Sequence, residues 1–109
     1  MNIDSTVAAL AALANATRLE AFRSLVRSEP DGMPAGDINA ALSVPQSTMS
    51  AHLSVLERAG LVRTERRSRS IIYRADIDAL RGLMLFLAKD CCQGRAELCE
   101  PLLAELTCC

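Results

Sequence analysis

All five cysteines of this 109-residue chain, Cys91, Cys92, Cys99, Cys108 and Cys109, fall within its last 19 residues. Thiolates are soft ligands and select soft or borderline ions. Trivalent arsenic and antimony favour three sulfurs in a pyramid, with a lone pair completing the shell. Zinc and cadmium prefer four ligands in a tetrahedron. Spacing narrows the geometry. On an ideal helix Cys92 and Cys99 point almost the same way, but seven residues of rise separate them by about 10 Å. Sulfurs that share one ion through bonds of about 2.3 Å lie within about 4 Å of each other. A straight helix therefore cannot build the site. The segment Gln93–Leu98 must fold back, and Gly94 is the natural place for the bend. The candidate ligands are Cys91, Cys92 and Cys99. The second vicinal pair, Cys108 and Cys109, can replace one ligand or relay it. Disulfide formation, as a redox switch or an artefact of handling, and structural zinc are the other chemistries open to these thiols. Burial as small hydrophobes fits two adjacent pairs near a terminus poorly.

A second group of residues can bind rather than react. Pro45-Gln46-Ser47-Thr48-Met49-Ser50-Ala51-His52 opens an expected helix with short polar groups. Gln46 can read adenine in bidentate fashion, and the hydroxyls of Ser47, Thr48 and Ser50 can bond phosphate oxygens. The unpaired amides of a helix start also suit a phosphate. The competing readings are simple capping for Ser47 and Thr48, and a surface or satisfied core position for His52, the lone histidine. Downstream, Arg58, Arg63, Arg66, Arg67, Arg69 and Arg74 stand against Glu65 alone, a local net charge of +5 (six minus one) within a chain of net charge −1. Residues 1–57 and 75–109 each sum to −3 (three basic against six acidic). Phosphate binding needs local charge, so the basic band outweighs the total. A solvated charged loop is the alternative.

The elements that must carry these groups follow from apolar spacing. Ile3–Ala14 reads as a helix with Val7, Leu10, Ala11 and Leu13. Asn15 can cap a second helix, Ala16–Arg27, whose expected buried stripe is Leu19, Phe22, Leu25 and Val26. Glu29-Pro30-Asp31-Gly32 is a turn. Pro34 suits the first turn of a third helix that ends near Leu42, with Ile38 and Leu42 inward. Ser43-Val44-Pro45 leads into a fourth helix, about 45–59, with Met49, Leu53 and Leu56 inward and Gly60 as its stop. Two β-type runs, Leu61–Glu65 and Ser70–Arg74, read as a hairpin joined by Arg66–Arg69. Asp76 and Asp78 favour a last helix, Ile77 to about Lys89, with Leu80, Leu83, Met84 and Leu87 expected to be buried.

Two helices around a tight turn, followed by a basic hairpin, make a winged helix-turn-helix pattern. The sequence also resembles the ArsR family of metal- and metalloid-responsive repressors. The resemblance rests on Leu13-Ala-Asn-Ala-Thr-Arg-Leu19, on Ser47-Thr-Met-Ser-Ala-His-Leu-Ser-Val-Leu-Glu-Arg-Ala-Gly-Leu-Val62 and on Ile72-Tyr73-Arg74, over roughly residues 7–90. It implies a mainly α fold with a small β-hairpin, in the order α-α-α-α-β-β-α, and a homodimer held by the first and last helices (about 3–14 and 77–90). It implies a recognition helix at about 45–59 and a wing at about 61–75, bound to double-stranded operator DNA and released by ligand. The expected DNA contacts are Gln46, Ser47, Thr48, Ser50, His52, Arg66, Arg67 and Arg69.

Two departures matter. Many arsenic-sensing members carry a Cys-x-Cys pair at the start of the DNA-contacting unit, where this chain has Met33-Pro34-Ala35-Gly36-Asp37-Ile38. The His- and Asp-based metal site on the last helix of other members is also absent, because no His lies beyond His52. The sensor is therefore expected in the Cys-rich tail, 91–109, with As(III) as inducer, Sb(III) as a second candidate and no organic cofactor. Redox- or Zn/Cd-responsive repression is the alternative. An enzyme is disfavoured, since a thiol after a helix C-terminus lacks the usual activation and the lone His lies elsewhere. Metal buffering without DNA binding is disfavoured by the +5 band. The longest apolar run, Leu83–Ala88, is far too short to span a bilayer. The expectation is one cytoplasmic domain over 1–109 with no membrane partner.

Overall fold

The computed structural model describes residues 1–90 together with Glu100, Pro101 and Glu105. Helices α1 (Ile3–Leu13) and α2 (Ala16–Arg27) lead into a two-residue strand, β1 (Met33–Pro34). Helices α3 (Ala35–Leu42) and α4 (Gln46–Arg58) follow, then a hairpin of β2 (Val62–Arg67) and β3 (Ser70–Ala75) and a last helix, α5 (Ile77–Leu85). The expected order thus holds, with one strand added. A π-helical turn, Phe86–Asp90, continues α5, where an unbroken α-helix to about Lys89 was expected.

Local chemistry explains the boundaries. Asn2 and Ser5 form a reciprocal capping box at the start of α1, with Ser5 N donating to Asn2 Oδ1 at 2.8 Å. Asn15 caps α2 through Arg18 N at 3.1 Å, and Asp76 caps α5 through Ala79 N at 3.0 Å. The α3–α4 turn is made by Ser43 at φ 54°, Val44 and Pro45. Gly60 ends α4 at φ 80°, a left-handed position that a side chain would strain, and Leu61 N closes the motif on Leu56 O at 3.0 Å.

The sheet order is β1-β3-β2, antiparallel throughout. Pro34 is therefore not inside the first turn of α3 as expected. It ends β1 opposite Ile72 and occupies the position before the helix. A proline has no N–H to donate, so an edge strand is where a sheet tolerates it. The preceding Gly32, at φ 75°, lies so close to β3 that an added Cβ would sit 2.6 Å from Tyr73 O and 2.7 Å from Ile72 Cγ2.

Met49, Leu53 and Leu56 of α4, spaced 4 and 3, are fully buried with Leu25, Ile38 and Leu61, as the pattern of α4 predicted. Three expectations fail. Leu19, Met84 and Leu87 are exposed, although Phe22, Leu25 and Leu83 of the same helices are buried. The reason lies in α1, which turns its small residues to the core. Thr6, Ala9 and Ala12 are buried, while Ile3, Val7 and Leu10 face outward. Leu19, Met84, Leu85 and Leu87 are likewise uncovered, on α2, α5 and the π-helical turn. Leu13, Leu19, Phe22, Val26 and Leu80 line an open groove of about 360 Å³ on the same helices.

Candidate nucleic-acid interface

The start of α4 is open. Pro45 stands in the capping position and no side chain caps the helix. The first intrahelical bond is Met49 N to Pro45 O at 2.9 Å. The amides of Gln46, Ser47 and Thr48 therefore point out of the helix end without an intrahelical acceptor. The side chains of Gln46, Ser47, Thr48 and Ser50 are all exposed, and none makes a hydrogen bond among the described residues. The capping explanation for Ser47 and Thr48 is thus excluded. Four polar side chains and three amides form one uncommitted surface, anchored from behind by Met49 and Leu53 at zero exposure. His52 differs from these four. It is half-buried on the flank of α4, with Nδ1 3.4 Å from Arg18 Nη1 on α2.

The hairpin supplies the second element. Its register pairs Arg67 with Ser70, which leaves Ser68 and Arg69 as the connecting residues. Ser68 takes φ 58°, a conformation that glycine adopts more readily. Arg63, Arg66, Arg67 and Arg69 are exposed, but their charges are not equally available. Arg67 Nη2 pairs with Glu65 Oε2 at 3.0 Å, and Arg67 Nη1 donates to Asp31 O at 3.1 Å. Arg63, Arg66 and Arg69 have no such partner among the described residues.

Arg74 is bound still more firmly. Its guanidinium donates to Glu29 Oε2 through Nε at 3.2 Å and Nη2 at 2.6 Å, and lies 3.7 Å from Glu65. The Glu29 hydrogen bond, helped by the charges of Glu29 and Glu65, raises the pKa of Arg74 above its ordinary value against the opposing pull of partial burial. The +5 band is therefore weaker than the sequence count. Arg74 is neutralised by an acid 45 residues away in the chain, and its role is to fasten the root of the hairpin to the end of α2. Arg58 turns to Ser54 Oγ at 3.2 Å. That hydroxyl leaves the charge of Arg58 intact, so the cations of the band without a carboxylate partner among the described residues are Arg58, Arg63, Arg66 and Arg69, with Arg67 shared.

The thiols Cys91, Cys92, Cys99, Cys108 and Cys109, expected as ligands, lie outside the described residues. Among the described residues there is no group of three or more His, Cys, Asp or Glu side chains placed to hold a metal ion. Nor is any helix there long and apolar enough to cross a membrane. Sequence reasoning missed Arg18 as a partner of His52 and Glu29 as the partner of Arg74. Neither pair has a local spacing signal, because their members are 34 and 45 residues apart.

The chain is similar in sequence and fold to known proteins. Residues 13–65 match a family described as a helix-turn-helix domain. The chain is 29% identical over 93 residues to the transcriptional activator HlyU of Vibrio cholerae, covering 85% of this chain and 83% of that one. It is 33% identical over 90 residues to the uncharacterized HTH-type transcriptional regulator YbzH of Bacillus subtilis, covering 70% and 88%. Among solved structures, an ArsR-like transcriptional regulator from Rhodococcus sp. RHA1 superposes with a TM-score of 0.75 at 25% identity, covering 94% of this chain and 90% of that one. A homodimeric winged helix-turn-helix DNA-binding domain from Mycobacterium bovis superposes with a TM-score of 0.67 at 28% identity, covering 78% and 77%.

Proposed function

This chain belongs to the ArsR family of helix-turn-helix transcriptional regulators, and from that premise we propose that it is a homodimeric repressor whose C-terminal thiols respond to trivalent arsenic. It is a regulator and not an enzyme, as its relatives are. The open start of α4 supports DNA reading: Gln46, Ser47, Thr48 and Ser50 meet base edges and phosphates in a major groove. Arg66 and Arg69 on the hairpin tip reach the adjacent backbone, with Arg67 as a weaker contributor.

The outward stripe of Ile3, Val7 and Leu10 supports pairing with a second copy through α1 and α5. Covering one such half-exposed side chain contributes about 1 kcal/mol, roughly half of what full burial gives, and Met84, Leu85 and Leu87 are likewise exposed. The M. bovis neighbour is itself homodimeric.

The single observation behind the arsenic reading is the gathering of all five cysteines directly after this dimerisation surface. Cys91, Cys92 and Cys99 supply three sulfurs to As(III), or to Sb(III), with Cys108 and Cys109 as auxiliaries. Ligand bound there acts on the end of α5 and so on the relation between the two copies of α4. Those must match half-sites about 34–36 Å apart. A 100-fold loss of affinity needs only about 2.7 kcal/mol of differential binding.

The test is release of the duplex upstream of the gene, followed by fluorescence anisotropy with arsenite. Wild-type protein is expected to dissociate, and Cys99→Ser to stay bound. Release of Cys99→Ser at the wild-type arsenite concentration would sink the three-thiol site. X-ray absorption on the reduced, loaded protein then separates three sulfurs from the four expected of a zinc or cadmium sensor. Release by oxidant alone would favour a thiol-redox regulator.

A further inference from the structure

Arg18 touches three parts of the molecule. Its backbone N donates to the Asn15 cap at 3.1 Å, so the residue is held at the first turn of α2. Its side chain then turns back. Nε donates to Ala12 O at 2.6 Å, one of the carbonyls that the end of α1 leaves without an intrahelical donor. Nη1 lies 3.4 Å from Nδ1 of His52 on α4. Both Arg18 and His52 are half-buried. With its first nitrogen on α1, the guanidinium has little freedom in where it presents the second.

A guanidinium can only donate. A hydrogen bond at this contact therefore needs Nδ1 as the acceptor, which is the arrangement of the tautomer that carries its proton on Nε2. Sequence reasoning ranked His52 with Gln46, Ser47, Thr48 and Ser50, yet among the described residues it is the only one of the five whose side chain has a partner. It is the seventh residue of α4, beyond the first turn that enters a groove. A single N–H donor there suits the DNA backbone better than a base edge.

We infer that Arg18 is a positioning residue for DNA binding: it fixes the Nε2–H tautomer of His52 and thereby sets that N–H as a donor to an operator phosphate. Because the same side chain closes the end of α1, it also joins the helix that bears the apolar stripe to the helix that meets DNA. This inference rests on the DNA-binding reading of α4.

The test combines spectroscopy with a double-mutant cycle. Long-range proton–nitrogen spectra of the wild-type protein, without DNA, are expected to show His52 Nδ1 unprotonated and Nε2 protonated. In Arg18→Gln the two tautomers are expected to mix. Binding is then measured on the duplex upstream of the gene. His52→Asn keeps an acceptor near Nδ1 but lacks the distal donor, and is expected to bind about tenfold more weakly. His52→Gln restores an amide N–H near Nε2 and is expected to lose less. Arg18→Gln is expected to lose about tenfold alone and nothing further when added to His52→Asn.

A wild-type Nδ1–H tautomer, or losses that multiply in the double variant, would overturn the inference. Should Arg18→Gln not fold, the two His52 variants decide alone, and equal losses in both would overturn it. If the wild-type protein binds no upstream duplex, the DNA reading itself fails and the phosphate contact with it. The tautomer spectrum still reports separately on what Arg18 does to His52.

Discussion

Helices α1 and α4 are built to opposite plans. α4 buries Met49, Leu53 and Leu56 and turns Gln46, Ser47, Thr48 and Ser50 to solvent. α1 buries Thr6, Ala9 and Ala12 and turns Ile3, Val7 and Leu10 to solvent. Each helix is amphipathic, but the large aliphatic side chains lie inside in one and outside in the other. A helix with its apolar residues inside holds its own fold together and offers hydrogen-bonding groups to whatever it meets. A helix with its small residues inside packs closely against α2 and α4 and offers area to another apolar surface. The two outer faces thus suit different partners, nucleic acid for α4 and protein for α1.

The largest effect that tests this contrast is on stability. Leu53→Ala is expected to cost about 2–5 kcal/mol, as for other fully buried leucines, read as a large fall in melting temperature. A cost under about 1 kcal/mol would mean that α4 is not the anchored helix described here.

Next comes the outward stripe. Val7→Glu combined with Leu10→Glu is expected to leave the fold intact by circular dichroism. The same change should shift sedimentation to the single-chain mass and weaken operator binding about 100-fold or more, equivalent to at least about 2.7 kcal/mol. Unchanged mass and affinity would break the contrast at α1.

The hairpin gives a smaller and sharper test. Removing both Arg66 and Arg69 is expected to reduce the slope of log affinity against log salt by about 3.6 for the dimer, roughly 0.9 for each of four phosphate contacts. Arg67→Ala should change it by less, because Glu65 already shares that charge. Equal slopes for all variants would take the hairpin out of the interface.

The smallest expected effect is at Ser68. Replacing it with glycine removes left-handed strain of about 1–2 kcal/mol against about 0.5–1 kcal/mol of added unfolded-chain entropy, so the chain should gain up to about 1 kcal/mol. Operator affinity is expected to stay the same. A loss of affinity there would show that the serine itself meets DNA.

Much of this arrangement was legible in the sequence because it depends on neighbours. The 4-and-3 spacing of Met49, Leu53 and Leu56, the asparagine before α2 and the glycine after α4 each carry their physical reason within one or two turns. What was not legible depends on distance or on what covers a surface. Periodicity identified Leu19, Met84 and Leu87 as apolar positions but could not say whether this chain or another buries them. β1 was missed because two residues, one a proline, have no strand pattern of their own and exist only opposite Tyr73 and Ile72. Six arginines against one acid looked like +5 until Glu29 was found on Arg74. The openness of the α4 start was half legible. The polar residues were evident, but only the structure excludes capping as their use.

The close approach at Gly32 has a consequence for how freely the chain can vary. With Tyr73 O and Ile72 Cγ2 both inside 3 Å of any added carbon, and a backbone angle that side chains rarely adopt, the position rejects all nineteen other residues for two independent reasons. Its neighbour Asp31 is exposed and, among the described residues, engaged only through its backbone, whose N donates to Ser28 O at 3.0 Å and whose carbonyl accepts from Arg67 at 3.1 Å. In a library that randomises both codons and selects for folded protein, position 31 should accept most amino acids and position 32 should return glycine alone.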